Sequence, residues 1–124
     1  MMSICYHLTI IINKHIIKKL KVKGAKEFCE YIKNKGYGIY ILSNASDRFH
    51  QYFPRFLPLD FFNGVAVSSD IHMIKPYEGI YKYILEKYKL NPEECLFIDD
   101  RLENIEGAKK LILRLNYSKI IMTK

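Results

Sequence analysis

Cys95-Leu96-Phe97-Ile98-Asp99-Asp100-Arg101-Leu102-Glu103-Asn104 runs from an apolar stretch through two adjacent carboxylates into a helical pattern. A short, unbroken apolar run of this kind reads as a strand buried on both faces of a parallel sheet, and the polar residues that close it mark the sheet's carboxyl edge. The same pattern stands twice more upstream. Tyr37 to Leu42 is followed by Ser43-Asn44, and Gly64 to Val67 by Ser68-Ser69-Asp70, with Ile74-Lys75-Pro76 in the loop beyond.

Helical patterns separate these strands. Ala25, Phe28, Cys29 and Ile32 recur at helical spacing, with basic residues in the last turn and Gly36 as a stop, so residues 25–36 read as an amphipathic helix closed by a left-handed cap. Ile80, Tyr81, Ile84, Leu85 and Tyr88 predict a second helix over 77–88, and residues 102–113 a third. Asn91-Pro92-Glu93-Glu94 reads as a helical turn with proline at its first position. Phe49 to Phe62 is aromatic-rich, and Pro54 and Pro58 keep any helix there short. Lys119 to Met122 reads as a last strand. Alternation of this sort predicts an α/β fold, a three-layer Rossmann-like parallel sheet with helices on both faces and ligands at the carboxyl ends of its strands.

A chain of 124 residues holds one core and not two. Of the net charge of +7, nearly all comes from Lys14, Lys18, Lys19, Lys21, Lys23 and Lys26, since residues 1–26 contain no acid. The rest is close to neutral and carries no basic stripe with interleaved aromatics, which argues against a nucleic-acid partner. Cys5, Cys29 and Cys95 have neither CxxC nor metal-ligand spacing and read as reduced thiols of a cytoplasmic protein. The apolar run Ile4 to Ile12 falls well short of the roughly twenty residues that span a bilayer, and its lysines follow rather than precede it, so neither a membrane span nor an export signal is expected.

Three polar sites thus come to one sheet edge: Ser43-Asn44, Lys75 and Asp99-Asp100. Each has an ordinary alternative, as a turn for Ser43-Asn44, a solvated lysine for Lys75 and a helix cap for the acid pair. Adjacent carboxylates at a buried strand end are costly unless a cation or an ammonium neutralises them. A hydroxyl, an ammonium and a carboxylate pair together make a phosphate and Mg²⁺ site.

From about Gly24 to Leu111 the sequence resembles the core of the haloacid dehalogenase-like (HAD) hydrolase superfamily, especially its small-capped phosphatase branch. Ile41-Leu42-Ser43-Asn44 is similar to that family's second motif, Ile74-Lys75-Pro76 to its third, and Phe97 through Asp99-Asp100 and Asn104 to Gly107-Ala108 to its fourth. The resemblance implies that Ser43, with Asn44 beside it, binds a phosphoryl oxygen, and that Lys75 neutralises the phosphoryl group. It implies further that Asp100 binds Mg²⁺ directly, that Asp99 acts through a water or behind it, and that Asn104 orients the carboxylates. The implied substrate is a phosphorylated small molecule.

The family's first motif is Asp-x-Asp at the end of the central strand, but the first aspartate of this chain is Asp47. The core is therefore expected to be incomplete at its N-terminus and inactive or very weak as a hydrolase. Residues 1–23 are expected to be a basic leader or cap remnant, with residues 24–124 forming the α/β core. An alternative places Tyr6 to Ile12 as the central strand, with Asn13 and His15 where the family has its aspartates. If nothing fills that slot, the strands around 38–43 and 95–98 each keep an unpaired edge, and self-association through strand edges is expected. A non-catalytic binding or scaffold module is the second function class. A receiver domain is disfavoured by order, because its acidic pair precedes its lysine, whereas here Lys75 precedes Asp99-Asp100.

Overall fold

The computed structural model describes residues 9–19, 21–115 and 121–123. Strands β1 (Thr9–Ile12), β2 (Gly38–Ser43), β3 (Gly64–Val67), β4 (Cys95–Ile98) and β5 (Ile121–Thr123) form one sheet in the order β3-β2-β1-β4-β5. All its pairings are parallel. The helices are α1 (Lys14–Lys19), α2 (Lys21–Asn34), α3 (Phe49–Phe56), α4 (Ser68–Ile71), α5 (Glu78–Lys87) and α6 (Leu102–Arg114).

Successive β1 side chains point to opposite faces, as strand geometry requires. Ile10 and Ile12 join Ile39, Ile41, Ile17 of α1, Cys29 and Ile32 of α2, and Phe49 and Phe53 of α3 in one core. Ile11 joins Leu42, Ala66 and Phe97 with Ile80, Tyr81 and Ile84 of α5 and Leu111 and Ile112 of α6 in the other. Helices thus cover both faces, and the three-layer expectation holds.

The head of the chain takes the alternative reading. β1 lies between β2 and β4, with Ile12 opposite Ile41 on one side and Ile98 on the other. Residues 9–19 are accordingly not a leader or cap remnant, because Ile10, Ile11, Ile12 and Ile17 are each 3% exposed or less. A buried isoleucine contributes about 1.5–3 kcal/mol, which a solvated leader would forgo. The slot whose vacancy motivated self-association is filled. Tyr6 to Leu8 and Lys119–Ile120 lie outside the described residues.

Local punctuation follows the sequence closely. Gly36 at φ 78° closes α2, with the Gly36 N–H donating to Lys33 and the Tyr37 N–H to Ile32, the two bonds of a Schellman cap. α2 begins at Lys21, four residues before the expected start at Ala25. Where Ser68-Ser69-Asp70 reads as a strand end, the chain makes the single helical turn α4. The Ser68 hydroxyl there donates to the Ala45 carbonyl and receives the Ala45 N–H, joining the loops after β2 and β3.

Gly107 on α6 allows the loop after Lys75 to lie against the helix. A Cβ at that position would stand 2.3 Å from the Pro76 carbonyl oxygen, whereas one at Gly79 would meet only the flexible Met73 side chain at 3.0 Å. Alanine is the better helix former by about 1 kcal/mol at either site. We expect Gly107→Ala to destabilise by about 1–3 kcal/mol despite that preference, and Gly79→Ala to be neutral or stabilising. Urea unfolding midpoints of the two variants test the contrast, and equal midpoints would contradict it.

Candidate functional site

The order of the strands reverses at β1, with β2 and β3 on one side and β4 and β5 on the other. In open α/β sheets ligands sit at the carboxyl edge beside such a reversal. Here that edge carries an open cleft of about 340 Å³, lined by Asn13, His15, Ser43, Asn44, Lys75, Asp100, Arg101 and Asn104. The expected residues Ser43, Asn44, Lys75, Asp100 and Asn104 are therefore brought together, and Asp99 sits behind them.

Behind the cleft lies a buried ion pair. The Lys75 ammonium donates to Asp99 Oδ2 at 2.6 Å and to the Leu42 carbonyl at 2.9 Å. Asp99 also accepts the Arg101 backbone N–H at 2.9 Å and the Asn104 amide at 3.2 and 3.3 Å. Lys75, Asp99 and Asn104 are each 6% exposed or less. Burial pulls the Lys75 ammonium below the usual lysine range, opposed by the hydrogen bond to Asp99 and by the charges of Asp99 and Asp100. Asn44 clamps the Lys75 backbone, accepting its N–H at 2.8 Å and donating to its carbonyl at 3.0 Å. The Lys75–Pro76 peptide bond is cis.

The front of the cleft is built from the end of β1. Asn13 follows Ile12 and is 4% exposed. Its Oδ1 accepts the Ile16 N–H at 2.9 Å at the start of α1, and its Nδ2 donates to Asp100 Oδ1 at 3.0 Å. The Lys14 N–H reaches Ser43 Oγ at 3.5 Å. The His15 ring titrates below the usual histidine range, through partial desolvation first and the Lys14 charge next, with Asp100 opposing. Sequence reasoning gave no role to Arg101, which lines the cleft, nor to the Leu42 carbonyl, which no side-chain pattern could reveal.

A family model for haloacid dehalogenase-like hydrolases matches residues 14–111. This chain belongs to that family. It is 30% identical over 79 residues to the sesquiterpene phosphatase astK of Aspergillus oryzae, covering 63% of this chain and 40% of the relative. It is 30% identical over 103 residues to a glyceraldehyde 3-phosphate phosphatase of Pyrococcus furiosus, covering 80% and 42%. The HAD chain thus spans about two-fifths of the length of these curated relatives. A HAD family enzyme from Bacteroides thetaiotaomicron, solved with magnesium and inorganic phosphate, superposes with a TM-score of 0.72 at 17% identity over 94% of this chain and 93% of that one. That likeness shows the fold.

The Mg²⁺ implied by the family meets a poor donor set here. Mg²⁺ takes hard oxygen ligands, usually one or two carboxylates and several waters, in a near-ideal octahedron. Among the described residues no three His, Cys, Asp or Glu side chains cluster as a metal site. Asp99 is engaged by Lys75, Arg101 and Asn104. An N–H of Asn13 lies against Asp100 Oδ1, one of the two oxygens this carboxylate could offer a cation. The residues present do not fit the ion.

Breaking a buried pair from one side leaves an uncompensated charge, at a cost of about 3–5 kcal/mol. We expect Asp99→Asn and Lys75→Met each to lose that much stability, and the double variant to lose less than the sum. Chemical denaturation of the three variants measures the coupling, and strict additivity would show that the pair does not organise the site.

Proposed function

We propose that this chain is a HAD-like domain of the phosphatase type that binds phosphorylated small molecules and is inactive or very weak as a hydrolase on its own. The observation that carries the reading is Asn13. It ends the central strand at the mouth of the cleft, the place where the family resemblance calls for a nucleophilic aspartate. A carboxylate can attack phosphorus and form an acyl phosphate; a neutral amide, with its nitrogen lone pair delocalised, cannot.

The remaining groups are those that hold a phosphoryl group. Ser43 Oγ and the third N–H of Lys75, whose other two engage Asp99 and Leu42, are the donors we assign to its oxygens. Asn44 and Asn104 hold Lys75 and Asp99 in place. The names of the curated relatives, a sesquiterpene phosphatase and a glyceraldehyde 3-phosphate phosphatase, support a phosphate monoester as the ligand class. Among the described residues no helix is long and apolar enough to cross a membrane. Cys29 and Cys95 are free and buried, with burial raising their thiols to about 11 and about 12, which suits a cytoplasmic setting.

A second reading, a non-catalytic scaffold or binding module, draws on the same Asn13 and on the lysine-rich stretch from Lys14 to Lys26. Binding to an acidic partner that weakens steeply with salt would favour it.

We expect the purified chain to hydrolyse p-nitrophenyl phosphate and sugar phosphates no faster than background, with or without Mg²⁺. Turnover that survives repurification and disappears in Lys75→Ala would overturn the reading.

A further inference from the structure

The amide of Asn13 has a fixed orientation. Its Oδ1 accepts the Ile16 N–H at 2.9 Å, and turning the group over would set its NH₂ against that same N–H. The NH₂ is therefore the end that faces Asp100, at 3.0 Å from Oδ1. An aspartate at position 13, capping Ile16 in the same way, would bring its second oxygen to the same separation from Asp100. Two carboxylates that close cannot both stay ionised without a cation between them. With asparagine, an N–H supplies the positive end and the gap closes without an ion.

We infer that the Asn13 amide stands in for a divalent cation in this cleft, so that a phosphate-type oxyanion binds here without metal. The inference rests on the phosphate-binding reading above and adds how the ligand's charge is met. Lys75 is the buried cation whose remaining N–H can reach the oxyanion, and Ser43, whose Oγ accepts the Lys14 N–H, supplies a neutral hydroxyl donor at the same edge. Asp100 then changes sign in the account. In a metal-using site it helps the phosphate by holding the ion, whereas here it is a like charge on the cleft wall that opposes the anion.

The test titrates inorganic phosphate into the full chain by calorimetry, with chelator and separately with excess Mg²⁺, alongside Mg²⁺ alone. We expect wild-type Kd values that agree within about twofold between the two conditions, and no binding of Mg²⁺ alone. Asp100→Asn, a change at an exposed side chain, is expected to tighten phosphate about fivefold in chelator by removing the like charge. Asn13→Asp is expected to lose phosphate affinity by about tenfold in chelator and to regain it with Mg²⁺. Wild-type binding that requires Mg²⁺, or that weakens in Asp100→Asn, overturns the inference and leaves the phosphate reading standing. Absence of phosphate binding under both conditions overturns the phosphate reading, and the inference with it. Because Asp100→Asn reads the sign of the effect by itself, the outcome does not depend on whether Asn13→Asp folds.

Discussion

The carboxyl edge of this domain is organised by one buried ion pair, Lys75 with Asp99. Two charges taken out of water are tolerable only when they are paired and their remaining hydrogen-bonding capacity is used. Those demands fix the positions of several elements at once. Lys75 must reach over from the loop after β3 to the ends of β2 and β4, because its partners are the Leu42 carbonyl and Asp99. Asn104 must project from the first turns of α6 to fill the rest of the carboxylate. The loop can come that near only because Gly107 presents no side chain to Pro76. The cleft is the space left in front of this arrangement.

The second constraint is the central position of β1. A strand with neighbours on both sides and helices on both faces is buried along its length. After the buried Thr9 hydroxyl, Ile10, Ile11 and Ile12 fill that interior with apolar side chains, and Asn13 is the first residue beyond the strand at its carboxyl edge. Its amide both starts α1 and faces Asp100, so one side chain links the first helix to the end of β4. The order reversal at β1 and the location of the cleft are two aspects of the same topology.

These two constraints differ in how far they can be read from sequence. β3 and β4 occur at the boundaries that their apolar runs predict, since polar residues abruptly end each run. The grouping of Ser43, Lys75 and the acid pair was also legible, because each follows or lies just beyond such a run. β1 was harder. A strand buried on both faces has no alternation to betray it, and the lysines that follow it read as a solvated segment until Ile17 is seen packed beneath the sheet. α2 starts earlier than expected because Gly24, a poor helix former, reads as a boundary, although Val22 stands seven residues before Cys29 and in phase with the stripe. Backbone acceptors such as the Leu42 carbonyl leave no trace in residue type. Composition likewise cannot say which of two adjacent aspartates turns inward; that is settled by the strand's register and by the reach of Lys75.

The residues that resemble catalytic motifs are of two physical kinds. Lys75, Asp99 and Asn104 are buried and satisfy one another, so removing any of them leaves a polar or charged group stranded in the interior. Their presence is accounted for by folding, with or without turnover. Position 13 is different, because an aspartate there would face Asp100 and need a cation, while asparagine accepts the Ile16 N–H and donates to the Asp100 carboxylate. An asparagine at position 13 is therefore compatible with an intact network behind the cleft. The side chains of the second, third and fourth motifs are thus accounted for by the packing and hydrogen bonding around the cleft, whichever residue stands at the end of β1.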